Sequence, residues 1–229
     1  MARAGIRDAV ECPPMDLSLE RIALAAIPII LAITVHEASH GYVARMFGDS
    51  TAWMLGRVTL NPLKHIDPLG TILVPLATFW LGGFLFGWAK PVPVNFANLR
   101  NPKRDMLWVA AAGPGANLLM AIAWAFLYVA TSSGGSFTSA GLQEMSSAGI
   151  AINVSLMVLN LLPILPLDGG RIALSLLPRR LAIPYSSTER FGFIVVILLI
   201  VSGALGVVLG PFFRATLTFI GAITGIDLR

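Results

Sequence analysis

His36-Glu37-Ala38-Ser39-His40 sets two imidazoles four residues apart with a carboxylate between them. On an α-helix, positions i and i+4 share a face, so both rings can reach one metal ion. Glu37 lies beside that face and can serve as general base for an attacking water. This is the residue pattern of a zinc-dependent peptidase, with Zn2+ as the implied cofactor. Its setting is not that of a soluble enzyme, because the preceding segment, Leu24 to Val35, holds no charged residue. Ionisable groups in hydrocarbon are costly and point to function. A metal bound at that depth would act on substrates within or close to a membrane.

Two imidazoles do not complete a catalytic zinc site, which takes three protein ligands and keeps one position open. An extended motif with a third His would need it at position 46, where the chain has Met46. The remaining His, His65, stands in a polar connection and is a candidate substrate contact or transition-state donor. Among the carboxylates Asp168 stands out as the candidate third ligand. It closes an apolar run in Leu165-Pro-Leu-Asp-Gly-Gly170, where two glycines would let the backbone turn sharply beside a metal. The single Cys12 can form no internal disulfide and lies outside any metal-ligand spacing.

The elements that must position these groups are membrane spans. Of the 229 residues 56% are hydrophobic and only 12% charged, with a mean hydropathy of +0.79. A soluble domain carries about a quarter charged residues, so the chain reads as an all-α polytopic membrane protein. Its net charge of +4 comes from basic residues between apolar spans and implies no nucleic acid. Spans are expected at about 19–47, 105–131, 148–165 and 191–209. A further apolar stretch covers 69–88, and an apolar tail broken by Arg214 runs to 226. Residues 1–20 combine four acids with Arg and Pro and lack the apolar core of a secretory signal. The organisation expected is an extracytoplasmic segment at 1–18, a metalloprotease core at 19–190 and a C-terminal transmembrane region at 191–229.

Orientation follows from Lys and Arg. Segments 45–69, 88–104 and 170–190 hold three, four and four of them, and 132–147 holds none. The first three are expected on the cytoplasmic side and the last outside. Both flanks of 69–88 are then cytoplasmic, which predicts a re-entrant hairpin with a break at Gly82-Gly83. The return through Lys90-Pro-Val-Pro-Val-Asn95 cannot be helical. Such a short β segment, near 69–98, could offer an edge to an extended substrate, making Asn95 a candidate contact. Spans one and four would run the same way, so His36, His40 and Asp168 share a depth toward the cytoplasmic side.

The His36-Glu37-x-x-His40 motif, followed by Asn160-Leu-Leu-Pro-Ile-Leu-Pro-Leu-Asp168-Gly-Gly, resembles the site-2 protease family of intramembrane zinc metalloproteases. Asn61-Pro-Leu-Lys-His-Ile-Asp-Pro68, Lys90-Pro-Val-Pro-Val-Asn95 and Ala112-Gly-Pro-Gly-Ala-Asn117 are similar to motifs of its compact bacterial branch, which has no PDZ domain. The likeness covers roughly residues 22–178. It implies His36, His40 and Asp168 as zinc ligands, Glu37 as general base, and Asn160 as a catalytic amide near the oxyanion. Asn117, among small residues, suits close helix packing or substrate binding. It further implies a multi-pass protein of a bacterial cell membrane and a single-span membrane protein or peptide as substrate. Two other functions fit a membrane zinc site: a non-proteolytic zinc-binding protein, and a metal transporter. Glu37 argues against the first, since binding alone needs no base. A transporter would spread ionisable groups along a path through several spans; here they gather at one depth.

Overall fold

A computed structural model describes residues 19–74, 90–132 and 137–228. Eight α-helices follow one another there: α1 (Leu19–Met46), α2 (Thr51–Met54), α3 (Pro102–Ser132), α4 (Phe137–Asn160), α5 (Asp168–Leu176), α6 (Arg179–Ser186), α7 (Glu189–Val201) and α8 (Ala204–Thr224). Single tight turns lie at Pro62–Lys64 and Phe96–Asn98, and a wider one at Pro68–Leu73. Among the described residues four helices are long and apolar enough to cross a membrane: Ala23–Met46, Pro102–Ser132, Ser139–Asn160 and Ala204–Thr224. The pair α6 and α7, bent by 65°, makes a fifth if taken as one broken span.

Three helices carry the centre. α3 packs along both α1 and α4, and α5 lies against α3. Hydrogen bonds fix their relative sense. Asn117 on α3 bonds the Ala32 carbonyl on α1 and Asn153 on α4, while four residues back on α3 Gly113 faces His36 and His40. Gly149 on α4 in turn faces Trp124 on α3, so the chain runs along α1 and α4 in one direction and along α3 in the other. Behind the site a core of Ala121, Ala125, Ile150, Val154 and Met157 takes in Leu217 and Ile220 of α8. Small residues on α3 let α4 approach closely, which is how helices associate where lipid removes the usual hydrophobic drive.

Several expectations change. The fourth span starts at Phe137 rather than near 148, so 137–147 is helix. Ser146 turns its hydroxyl back onto the Leu142 carbonyl and is fully buried; back-bonding of this kind satisfies a hydroxyl inside a helix. That span also ends earlier, at Asn160, and Asp168 opens α5 instead of closing α4. Gly169 and Gly170 are then not a turn but the first residues of α5, where a Cβ would strike the backbone of Leu161 to Leu165. The expected span at 191–209 is broken: Gly203, at φ 72°, separates α7 from α8.

No strand occurs among the described residues, so the short β segment is not formed over 90–98. Pro91 and Pro93 have no N–H to give a ladder, and the donors of Val92 and Asn95 go to carboxylates. The expected hairpin falls mainly on 75–89, outside the described residues, as does the 1–18 segment.

Candidate metal centre

α1 brings His36 and His40 onto one face, one helical turn apart, and α5 brings Asp168 against them. The two Nε2 atoms are 3.1 Å apart. Asp168 Oδ2 lies 3.2 Å from His36 Nε2 and Oδ1 lies 3.4 Å from His40 Nε2. These three residues are the one group of potential metal ligands of this kind among the described residues.

The far nitrogens settle which lone pairs are free. His40 Nδ1 lies 2.7 Å from the Val109 carbonyl, which can only accept, so Nδ1 carries the hydrogen. His36 Nδ1 lies 2.5 Å from Asn117 Oδ1. That amide is oriented by its own Nδ2, which donates to the Ala32 carbonyl at 3.3 Å. In the neutral rings, the form that binds a metal, both Nε2 atoms therefore turn lone pairs toward each other and toward a carboxylate.

Acceptors crowded this way repel unless a cation lies between them. Tetrahedral zinc with bonds near 2.0–2.1 Å separates its ligand atoms by about 3.3 Å, which matches the three distances. Asp168 Oδ2 is buried without a hydrogen bond, as an oxygen reserved for a metal would be. Gly113 forms the wall beside them: a Cβ there would stand 2.6 Å from His36 Nε2 and closer still to His40 Nε2. The residues present fit a zinc ion.

Peptidase family M50 is matched by its family model over residues 24–141 and 129–203. The chain belongs to that family, the site-2 proteases. YwhC of Bacillus subtilis, named as a candidate zinc metalloprotease, is 41% identical over 82% of this chain and 85% of its own length. Rip2 of Mycolicibacterium smegmatis, named likewise, is 32% identical over 77% of this chain and 66% of its own. Rip2 of Mycobacterium tuberculosis is 31% identical over 61% of this chain and 52% of its own. No solved structure matches significantly. As an M50 member with several apolar helices, the protein is a multi-pass membrane zinc metalloprotease.

Around this M50 centre the other expected site residues scatter. Glu37 is half-buried and accepts the Val92 N–H at 2.7 Å. Asn160, the last residue of α4, donates to the Leu156 carbonyl of its own helix at 3.0 Å. Asn95 is exposed; its side chain caps the turn at 96–98 by accepting from Ala97 N. His65 is buried, bonds the Thr59 carbonyl through Nε2 and accepts Lys90 N on its own carbonyl. It braces the 59–65 loop against the 90–95 segment and stands apart from the ligand group. Asn117 has no exposed surface, and its amide is committed to His36, Ala32 and Asn153.

Sequence reasoning missed Asn153, the Val109 carbonyl, Gly113 as a wall of the site, and Asp49. Asn153 had a signal, an amide inside an apolar span; a backbone carbonyl has none. Asp49 is fully buried and anchors the 90–99 segment to the end of α1. It accepts Asn95 N at 2.7 Å, Asn98 Nδ2 at 3.1 Å and Thr51 N at 3.1 Å, together with the Thr51 hydroxyl. Burial alone would raise its carboxyl; these donors, the Thr51 hydroxyl first, outweigh burial and hold it below the ordinary 3.8. A cavity of about 540 Å³ lies along α1 and α3, lined by Val35, Ser39, Tyr42, Ala112 and Leu119. His36, Glu37, His40 and Asp168 are not among its lining residues.

Proposed function

We propose that this protein is an intramembrane endopeptidase. It hydrolyses peptide bonds of single-span membrane proteins, or of membrane remnants and signal peptides, within or near the bilayer. The observation that carries this is the ligand cluster on α1 and α5, with Glu37 beside it, on a helix apolar enough to cross a membrane. His36, His40 and Asp168 hold the metal. Bound zinc supplies Lewis acidity that activates water and polarises a carbonyl.

Glu37 takes the proton of the attacking water and passes it to the leaving amine. The Val92 N–H keeps one carboxylate oxygen in place, leaving the other for proton transfer. Asn160 offers its second N–H to the developing oxyanion. A helical substrate hides its carbonyls in its own hydrogen bonds, so it must unwind. The unwound stretch lies beside the 90–95 segment, next to Glu37, with Asn95 at the exposed end as a side-chain contact and His65 bracing the segment from behind. The centre faces the cytoplasmic side of a bacterial cell membrane, an orientation supported by the Lys and Arg of the flanking segments. Residues 1–18 stand outside, 19–190 form the protease core, and 191–229 form the C-terminal membrane region.

The test is cleavage of a single-span reporter by the detergent-solubilised protein, with zinc measured alongside. The wild type is expected to cut within the span in a zinc-dependent way. Glu37→Gln is expected to keep zinc and lose cleavage; Asp168→Ala is expected to lose both. Full proteolysis by Glu37→Gln would remove the general base, and full zinc in Asp168→Ala would remove the third ligand.

A further inference from the structure

The two ligand imidazoles are supported differently on their far side. His40 donates to a backbone carbonyl, that of Val109, which no substitution can remove. His36 relies on side chains. Its Nδ1 donates to Asn117 Oδ1 on α3, Asn117 Nδ2 donates to Asn153 Oδ1 on α4 at 2.9 Å, and Asn153 Nδ2 donates to the Gly149 carbonyl at 2.8 Å. Both asparagines have no exposed surface. The direction of this chain is forced from its far end. Gly149 O can only accept, so Asn153 presents its NH₂ there and its oxygen to Asn117. Asn117 must then present its NH₂ to Asn153 and its oxygen to His36.

We propose that Asn117 and Asn153 are positioning residues for the metal centre, a three-helix relay that fixes the tautomer and ring plane of His36. The proposal rests on the reading of His36 as a ligand. Its physical content is that Nδ1–H is obligatory, so the Nε2 lone pair faces the metal before it arrives. A ring free to rotate or to carry its hydrogen on Nε2 would have to reorganise on every binding event. Outer partners of this kind are worth about 10–100-fold in metal affinity. The relay also gives Asn117 a task other than substrate contact, since its amide has no exposed surface to offer a peptide.

Zinc affinity by chelator competition on the detergent-solubilised full chain tests this, with His36→Ala as reference. Asn117→Leu keeps the volume and removes the acceptor; Asn117→Asp keeps the acceptor. The expected result is a loss of about 10–100-fold for Asn117→Leu and only a few-fold for Asn117→Asp. Asn153→Leu should lose less, and should add nothing when combined with Asn117→Leu, because the two act in series. Thermal unfolding in chelator identifies folded variants. Wild-type affinity in folded Asn117→Leu, or equal losses in the Leu and Asp variants, would overturn the relay. Undiminished zinc in His36→Ala would instead overturn the ligand reading beneath it.

Discussion

The seam between α1, α3 and α4 and the outer pair α7 and α8 are both built from apolar helices, yet they solve opposite problems. In the seam, His36, Asn117, Asn153 and Thr34 are buried, and the polar atoms of the first three are spoken for. In the outer pair the exposed residues include Phe191, Ile194, Leu198, Val201, Val207 and Phe212. Lipid covers such residues at no polar cost. Polar groups in a membrane protein are thus placed by the need to satisfy each one, whereas apolar groups need only a surface that lipid wets. Substitutions should therefore be felt through fit and hydrogen bonding in the seam, and hardly at all on the outer face.

The largest expected effect comes from filling the seam at the metal. Gly113→Ala places a methyl against both Nε2 atoms; bound zinc should fall from about one per chain to none, and cleavage should vanish with it. Metal analysis of the purified protein checks this, and zinc retained at wild-type level would mean that α3 can back away from α1. Next is a place where the outer pair presses on the loop that leads to the site. A Cβ on Gly192 of α7 would overlap the Leu165 carbonyl oxygen, in the loop that leads to Asp168. Gly192→Ala should destabilise the protein by about 1–3 kcal/mol and lower the temperature of half-inactivation. Val207→Ala, at a position 78% exposed, should stay within about 0.5 kcal/mol. Equal effects at the two positions would erase the contrast.

The smallest effect sharpens the polar side of the comparison. The Asp49 carboxyl sits below its ordinary value of 3.8 in the folded protein. Its contribution to stability is therefore complete above 3.8 and is lost as pH falls through the lower, folded value. Protease accessibility of the 90–99 segment should rise on acidification through that range. Asp49→Asn should show the high accessibility already at neutral pH and no further acid dependence.

How much of this could be read from residues alone follows the same division. The meeting of His36, His40 and Asp168 was legible because helix packing in an apolar span has no use for ionisable side chains at fixed spacing, whereas a metal does. That the spans assigned to them would run the same way was expected from Lys and Arg together with the place of each motif in its span. Helix ends were not. Ser146 and Ser147 look like loop until Ser146 is seen to satisfy itself on its own helix, and the break at Gly203 is marked only by Ser202 within an otherwise apolar run. The roles of Gly113 and the Val109 carbonyl were beyond reach, since both depend on what stands opposite them across a helix interface. Asn117 was legible as a residue of interest and misleading as to its task, because its partner Asn153 lies 36 positions away.

The 90–95 segment is held almost entirely by its main chain. Lys90 N is taken by the His65 carbonyl, Lys90 and Pro91 carbonyls by Arg57, Val92 N by Glu37 and Asn95 N by Asp49. Val92 is buried and Val94 packs on the Ala44–Met106 core, whereas Asn95 is exposed. Such an anchorage leaves the outward-facing position open to change without moving the segment or the hold on Glu37. The path of the chain and the surface it presents are thus separable: one is fixed by main-chain partners, the other by whatever residue stands at the rim.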